Sequence, residues 1–160
     1  MPEPKQKPGK SKQDYATPWS LISAVQVRWG KLDIDLAATA ENAKADRFIT
    51  PETDSLKVPW GAYADAHKLR LAWLNPPFAD IAPWAEKALN SATPSGLRII
   101  MLTPASVGAN WFRDYVHGRA DVVALNGRIT FEGAPDPYPK DCMLTLFGFE
   151  PGFDVWTWTK

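Results

Sequence analysis

Leu71-Ala72-Trp73-Leu74-Asn75-Pro76-Pro77-Phe78-Ala79 sets the architecture of this chain. Four apolar residues run straight into a double proline. A short apolar run closed by prolines reads as a buried strand that stops abruptly. Neither Pro76 nor Pro77 can donate to a sheet ladder, so a rigid turn begins there. Asn75 and Phe78 are then carried on a stiff loop at the carboxyl end of a strand. In open α/β sheets that edge is where ligands bind.

The loop carries a specific chemistry. An exocyclic amine on a purine ring is a poor nucleophile because its lone pair is delocalised into the ring. Acceptors on both of its N–H bonds draw the nitrogen toward tetrahedral geometry and free that lone pair. Asn75 offers a side-chain carbonyl, and Pro76 a main-chain carbonyl released from the ladder. Phe78 offers a flat face for stacking, worth roughly 1–3 kcal/mol in comparable base–aromatic contacts. The two prolines hold these groups in one geometry beforehand. An ordinary strand-ending turn would need the same prolines, so the rest of the chain decides between the two.

Length and composition narrow the field. A chain of 160 residues suits one domain, expected over residues 14–160. Eight tryptophans call for a large aromatic core or an aromatic-lined cleft. Cys142 is the only cysteine, which excludes an internal disulfide and suits a reducing cytoplasm. No apolar run approaches membrane-spanning length, so no membrane partner is expected. His67, His117 and Cys142 lie too far apart for zinc-ligand spacing, so no metal is expected. Net charge is zero, yet Lys5, Lys7, Lys10 and Lys12 face only Glu3 in the first twelve residues. Residues 1–13 read as a disordered basic leader. It suits phosphate contacts and equally suits a solubilising arm.

Outward from the central segment, the pattern alternates strands and helices. Thr17 is expected to cap a helix that has Pro18 in its first turn and runs to Trp29, stopped by Gly30. Residues 32–38 alternate apolar and acidic, which predicts a strand carrying Asp33 and Asp35. Residues 47–50 predict a second short strand. Residues 61–70 read as a loop or short helix, and 81–90 as an amphipathic helix. Residues 97–103 form a strongly apolar strand closed by Pro104. A strand, helix and strand at this spacing imply a parallel sheet. A helix over 111–116, strands at 121–125, 128–131 and 143–149, and an edge strand at 155–158 complete the expectation.

Taken in order, these elements resemble the small phage-type DNA adenine N6-methyltransferase family. The resemblance rests on Thr17-Pro18 before an amphipathic helix and on Asp33-Ile34-Asp35-Leu36-Ala37-Ala38. It continues through Asn42, Asp54-Ser55-Leu56, Asn75-Pro76-Pro77-Phe78, Trp84, Leu102-Thr103-Pro104-Ala105, Trp111-Phe112 and Gly127-Arg128-Ile129-Thr130-Phe131. It implies an α/β Rossmann-like methyltransferase fold, mostly parallel with an antiparallel C-terminal strand. S-adenosylmethionine is the implied donor and double-stranded DNA the implied acceptor, in the cytoplasm of a bacterial host. Two departures stand out. Phe78 replaces the usual tyrosine, which keeps the stacking face. Tyr138-Pro139-Lys140-Asp141-Cys142 occupies the place of a Pro-Ser-Ala-like run.

The resemblance assigns Asn75, Pro76, Pro77 and Phe78 to catalysis. Thr17, Pro18, Asp33, Asp35, Ala37, Asp54 and Leu56, with Asn75, are the expected donor contacts. Carboxylates suit a sulfonium, an ammonium and ribose hydroxyls, and small alanines let a ligand approach. No Gly-rich dinucleotide turn is present. Arg113, Arg128 and Lys140 are the candidate DNA contacts, with 61–70, 105–110 and 132–141 as reading loops. The same residues are compatible with a silent binding module of this fold, or with an RNA or protein acceptor.

Overall fold

The computed structural model describes residues 16–159; the basic leader lies outside them. Seven strands form one sheet in the order β2-β1-β3-β4-β6-β5-β7. They are β1 (Ile34–Asp35), β2 (Arg47–Phe48), β3 (Leu71–Leu74), β4 (Arg98–Pro104), β5 (Asp121–Asn126), β6 (Cys142–Phe147) and β7 (Gly152–Thr157). Only β6 runs antiparallel to its neighbours β4 and β5. The antiparallel strand expected near the C-terminus is therefore an interior strand, and the last strand, β7, is a parallel edge against β5.

Helices cover both faces, which is why β3 and β6 are buried at every position. On one face α1 (Trp19–Trp29) presses Leu21, Ile22 and Val25 onto Leu71, Trp73, Ile100 and Leu144. On the other, α2 (Trp60–His67), α3 (Ala82–Ser91) and α4 (Asn110–Tyr115) enclose Ile34, Ala72, Leu74, Ile99 and Met101. Gly30 ends α1 at φ 113°, its N–H on the Gln26 carbonyl at 2.9 Å.

From β1 the chain moves outward to β2, then returns to the far side of β1 as β3. The strand order reverses between β1 and β3, so Asp35 and Asn75 flank the crevice that such reversals create.

Four local expectations are corrected. The first helix begins at Trp19 with Pro18, not Thr17, as its N-cap, and no side chain caps it. The strand over 32–38 shortens to Ile34–Asp35 because the acidic residues are used for turns and contacts. Most of residues 61–70 belongs to α2, so the helix and not the loop is the reading that holds for that stretch. Residues 128–131 form no strand; Ile129 and Phe131 are buried from an irregular segment.

Gly148, between β6 and β7, holds φ 87°, and a Cβ there would lie 3.1 Å from the Thr93 carbonyl oxygen. Gly148→Ala should lower stability by at least about 1 kcal/mol, read as an earlier urea midpoint with an unchanged slope.

Candidate active site

The double proline ends β3 in the middle of the sheet and leaves Asn75 half-buried at its open end. The Asn75 amide nitrogen, Nδ2, donates to Thr17 Oγ1 at 3.2 Å. Thr17 is fully enclosed, so this bond fixes the plane of the carboxamide. It also explains why Thr17 does not cap α1: its hydroxyl is committed to Asn75. Among the described residues no hydrogen bond to the Pro76 carbonyl is found.

Asp35 lies across the crevice, 3% exposed. Its Oδ1 accepts from the Ala37 N–H at 3.2 Å and its Oδ2 from the Lys44 N–H at 3.0 Å. Burial dominates over those bonds and the Lys44 charge, and raises the carboxyl from 3.8 to about 7. Such a group is poised to gain a cationic or hydroxylic partner. The Lys44 amine is itself buried, 3.5 Å from Glu132 Oε1 and 4.4 Å from the centre of the Trp19 ring.

Two adjoining cavities follow. The smaller, about 10 Å³, is walled by Thr17, Asp35, Asn42, Lys44, Trp73 and Asn75. The larger, about 190 Å³, is lined by Ala38, Ile49, Thr50, Asp54, Ser55 and Trp84. Ala37 and Asn42 are common to both. The Asn42 side chain anchors its own turn by accepting from the Thr39 N–H at 2.7 Å. Asp54 holds left-handed backbone at φ 58°, a conformation asparagine and aspartate tolerate best. Trp60 fixes the next residue, donating from Nε1 to both Ser55 oxygens at 3.0 Å.

Phe78 stands in an aromatic cluster. Its ring centre is 6.3 Å from Phe131 and 5.8 Å from Tyr138, both edge-on. The segment carrying these rings folds back over the ligand edge. The Glu132 N–H donates to the Ala16 carbonyl at 3.0 Å, and the Ala105 N–H to the Asp141 carbonyl at 2.8 Å.

Thr17, Asp35, Ala37 and Asn75 are thus brought together, with Asp54 in the neighbouring cavity. Three expected donor contacts fall elsewhere. Asp33 accepts from the Arg70 and Leu71 N–H groups at 2.9 and 3.1 Å, at the amino end of β3. Pro18 starts α1, and Leu56 packs partly on the core without lining either cavity. Arg113 is paired with Asp114 at 2.8 Å and Arg128 with Asp141 at 3.3 Å, while Lys140 is exposed. Lys44, Trp73, Phe131 and Tyr138 were not foreseen. A lysine in a short turn and aromatics in strand or loop look like surface and core. Phe131 lay at the end of the run over residues 127–131 and Tyr138 at the start of the departure Tyr138-Pro139-Lys140-Asp141-Cys142, while nothing local marked Lys44.

No helix among the described residues is long and apolar enough to cross a membrane. A solved structure of a predicted O-methyltransferase from Agrobacterium tumefaciens aligns over 85% of each chain, at 16% identity and a TM-score of 0.43. A protein named DNA N-6-adenine-methyltransferase from Escherichia phage T1 is 29% identical over 138 residues. That match covers 86% of this chain and 55% of the T1 protein, so the chain spans about half of that relative. A protein of the same name from Haemophilus phage HP1 (strain HP1c1) is 30% identical over 146 residues, covering 86% of this chain and 80% of its own length. The model of the DNA N-6-adenine-methyltransferase (Dam) family matches residues 5–141, including the strand end at Asn75, the Asp35 crevice and the Phe78–Phe131–Tyr138 cluster. The chain belongs to that family.

Proposed function

We propose that this chain transfers a methyl group from S-adenosylmethionine to the N6 amine of adenine in double-stranded DNA. The observation that carries the reading is the Asn75 carboxamide. It is held by a buried threonine at the open end of β3, on the wall of a pocket that also contains Asp35. The family membership supports the reaction class, and the phage relatives support action in the cytoplasm of a bacterial host.

The residues present fit the donor. Asp35 is a buried carboxylate in want of a positive or hydroxylic partner. The larger cavity suits a nucleoside, with Asp54 at its rim and Trp84 on its wall. When bound, the donor supplies an electrophilic methyl. The protein does the rest by placement.

The adenine is rotated out of the duplex, at a price of a few kcal/mol. Phe78 receives its face, steadied edge-on by Phe131 and Tyr138. The two N–H groups of the amine donate to Asn75 Oδ1 and to the Pro76 carbonyl, which directs the nitrogen lone pair toward the methyl. In the transfer the bond from the methyl carbon to the sulfonium sulfur would break as the bond to N6 forms, leaving a neutral thioether. N6 would then release one of its two protons to water, so no side-chain base is required in this scheme. Lys140 and Arg128 lie on the segment that carries Tyr138, so they are the better-placed phosphate contacts. Arg113 stands apart from that segment, on α4, in a pair with Asp114.

Asn75→Ala should reduce N6-methyladenine, measured by mass spectrometry of DNA from expressing cells, by at least about a hundredfold. Donor affinity by calorimetry should stay within about threefold, since an interaction specific to the transition state is removed. Equal loss of donor affinity would reassign Asn75 to the donor site.

The raised Asp35 carboxyl makes a second expectation. It is neutral in both folded and unfolded protein below pH 4, and its burial costs stability increasingly as pH rises through about 7. Ligand-free protein should therefore lose stability over that interval. The donor needs the ionised form, so its affinity should climb by up to about tenfold per pH unit below 7 and level off above it. Asp35→Asn should flatten that climb in a calorimetric series from pH 5.5 to 8.5.

A further inference from the structure

Beyond β7 the chain closes on the turn that carries Arg128. β5 and β7 finish side by side, with Asn126 opposite Thr157. The Thr157 hydroxyl donates to Asn126 Oδ1 at 3.2 Å. One residue on, the Trp158 Nε1–H donates to the Gly127 carbonyl at 2.8 Å. Gly127 holds φ 113°, and a Cβ there would stand 3.0 Å from Thr159 Cγ2 and 3.1 Å from Trp158 Nε1. A glycine lets the indole come that close.

The Gly127 carbonyl belongs to the same planar peptide unit as the Arg128 N–H. A bond to that oxygen therefore fixes the plane from which the Arg128 side chain departs. The Trp158 ring packs on the core cluster that holds Ile129 and Phe131, so it is anchored independently of the bond it donates.

Arg128 follows the carboxyl end of β5. β4 and β5 both run antiparallel to β6, and β3 runs parallel to β4, so Arg128 shares a sheet edge with Asn75. Its Nε donates to Asp141 Oδ1 at 3.3 Å, and both side chains are more than half exposed. Among the described residues its terminal guanidinium nitrogens make no further hydrogen bond. An exposed pair of this length is weak and yields to a phosphate, which a guanidinium takes with two parallel donors.

We propose that Trp158 is a positioning residue that aims Arg128 at a phosphate of the duplex. This rests on the reading of Arg128 as a phosphate contact above. It gives the turn beyond β7 a part in holding DNA.

Phosphate contacts carry no base sequence, so a fluorescent mixed-sequence duplex serves as the probe, with affinity read by anisotropy over a salt series. Arg128→Gln should weaken binding by roughly three- to tenfold and lower the salt slope by about 0.9. Trp158→Phe keeps a ring on the core cluster and removes the donor. It should weaken binding by roughly two- to fivefold and lower the slope in the same sense. Added to Arg128→Gln, it should cost less than about 1.5-fold more, since one contact is not lost twice. Affinity for S-adenosylmethionine and kcat at saturating DNA should stay within about twofold. Should Trp158→Phe not fold, Thr157→Val removes the neighbouring bond from an exposed position and carries the same cycle. Losses that multiply in the double variant would overturn the proposal. So would a Trp158→Phe protein that binds the duplex like wild type, or one that loses donor and duplex affinity alike. An Arg128→Gln protein with an unchanged salt slope would overturn it through its premise. A wild-type chain that binds no duplex would overturn the DNA reading itself.

Discussion

Two consecutive prolines in the middle of a parallel sheet are the constraint on which this molecule turns. β3 has hydrogen-bonded neighbours on both sides, and neither Pro76 nor Pro77 can continue its ladder. The strand must stop there, while β4 runs on to Pro104. The gap so made lies where the strand order reverses, beside the end of β1. Asn75 is the last residue before the break. It therefore keeps the positional rigidity of a core strand while its side chain faces a crevice.

The surrounding chain is bent to serve that end. The segment before α1 gives up the usual threonine cap, and its hydroxyl fixes Asn75 instead. The helix start loses a cap worth about 1 kcal/mol, and an uncapped helix start remains beside the Asp35 cavity. Asp35 itself is held by two main-chain N–H groups, yet burial still outweighs them. Both features leave the ligand-free crevice electrostatically unfinished. A site that relaxes only when filled is a common trait of binding pockets.

Much of this was legible beforehand, and the failures share a cause. The apolar run into Asn75-Pro76-Pro77-Phe78 announced a buried strand and its break, because proline chemistry is local. Leu21, Ile22 and Val25 announced α1, because helical periodicity is local too. Asp33 and Asp35 could not be told apart, since both alternate with apolar neighbours. Only tertiary structure sends Asp33 to the amino end of β3 and Asp35 to the crevice. Thr17 read as a cap because its competing partner lies 58 residues away. Residues 128–131 read as a strand from composition, but Ile129 and Phe131 are buried by a loop that closes on Ala16. Lys44 was invisible for the same reason: a lone lysine in a turn carries no local sign of burial.

The pair Phe131-Glu132 joins the two sides of the crevice within one stretch of chain. Phe131 is 6.3 Å from Phe78, on the side proposed for the base. Glu132 lies next in the chain and reaches the opposite side twice. Its N–H donates to the Ala16 carbonyl, and its carboxylate meets Lys44 on the Asp35 cavity. One peptide unit thus joins the aromatic cluster to the Asp35 cavity. The coupling is carried by one ion pair and one main-chain hydrogen bond, contacts that readjust at small energetic expense. The two sides of the crevice are therefore joined through a single stretch of chain, and the Phe78 cluster and the Asp35 cavity share one anchor at Glu132.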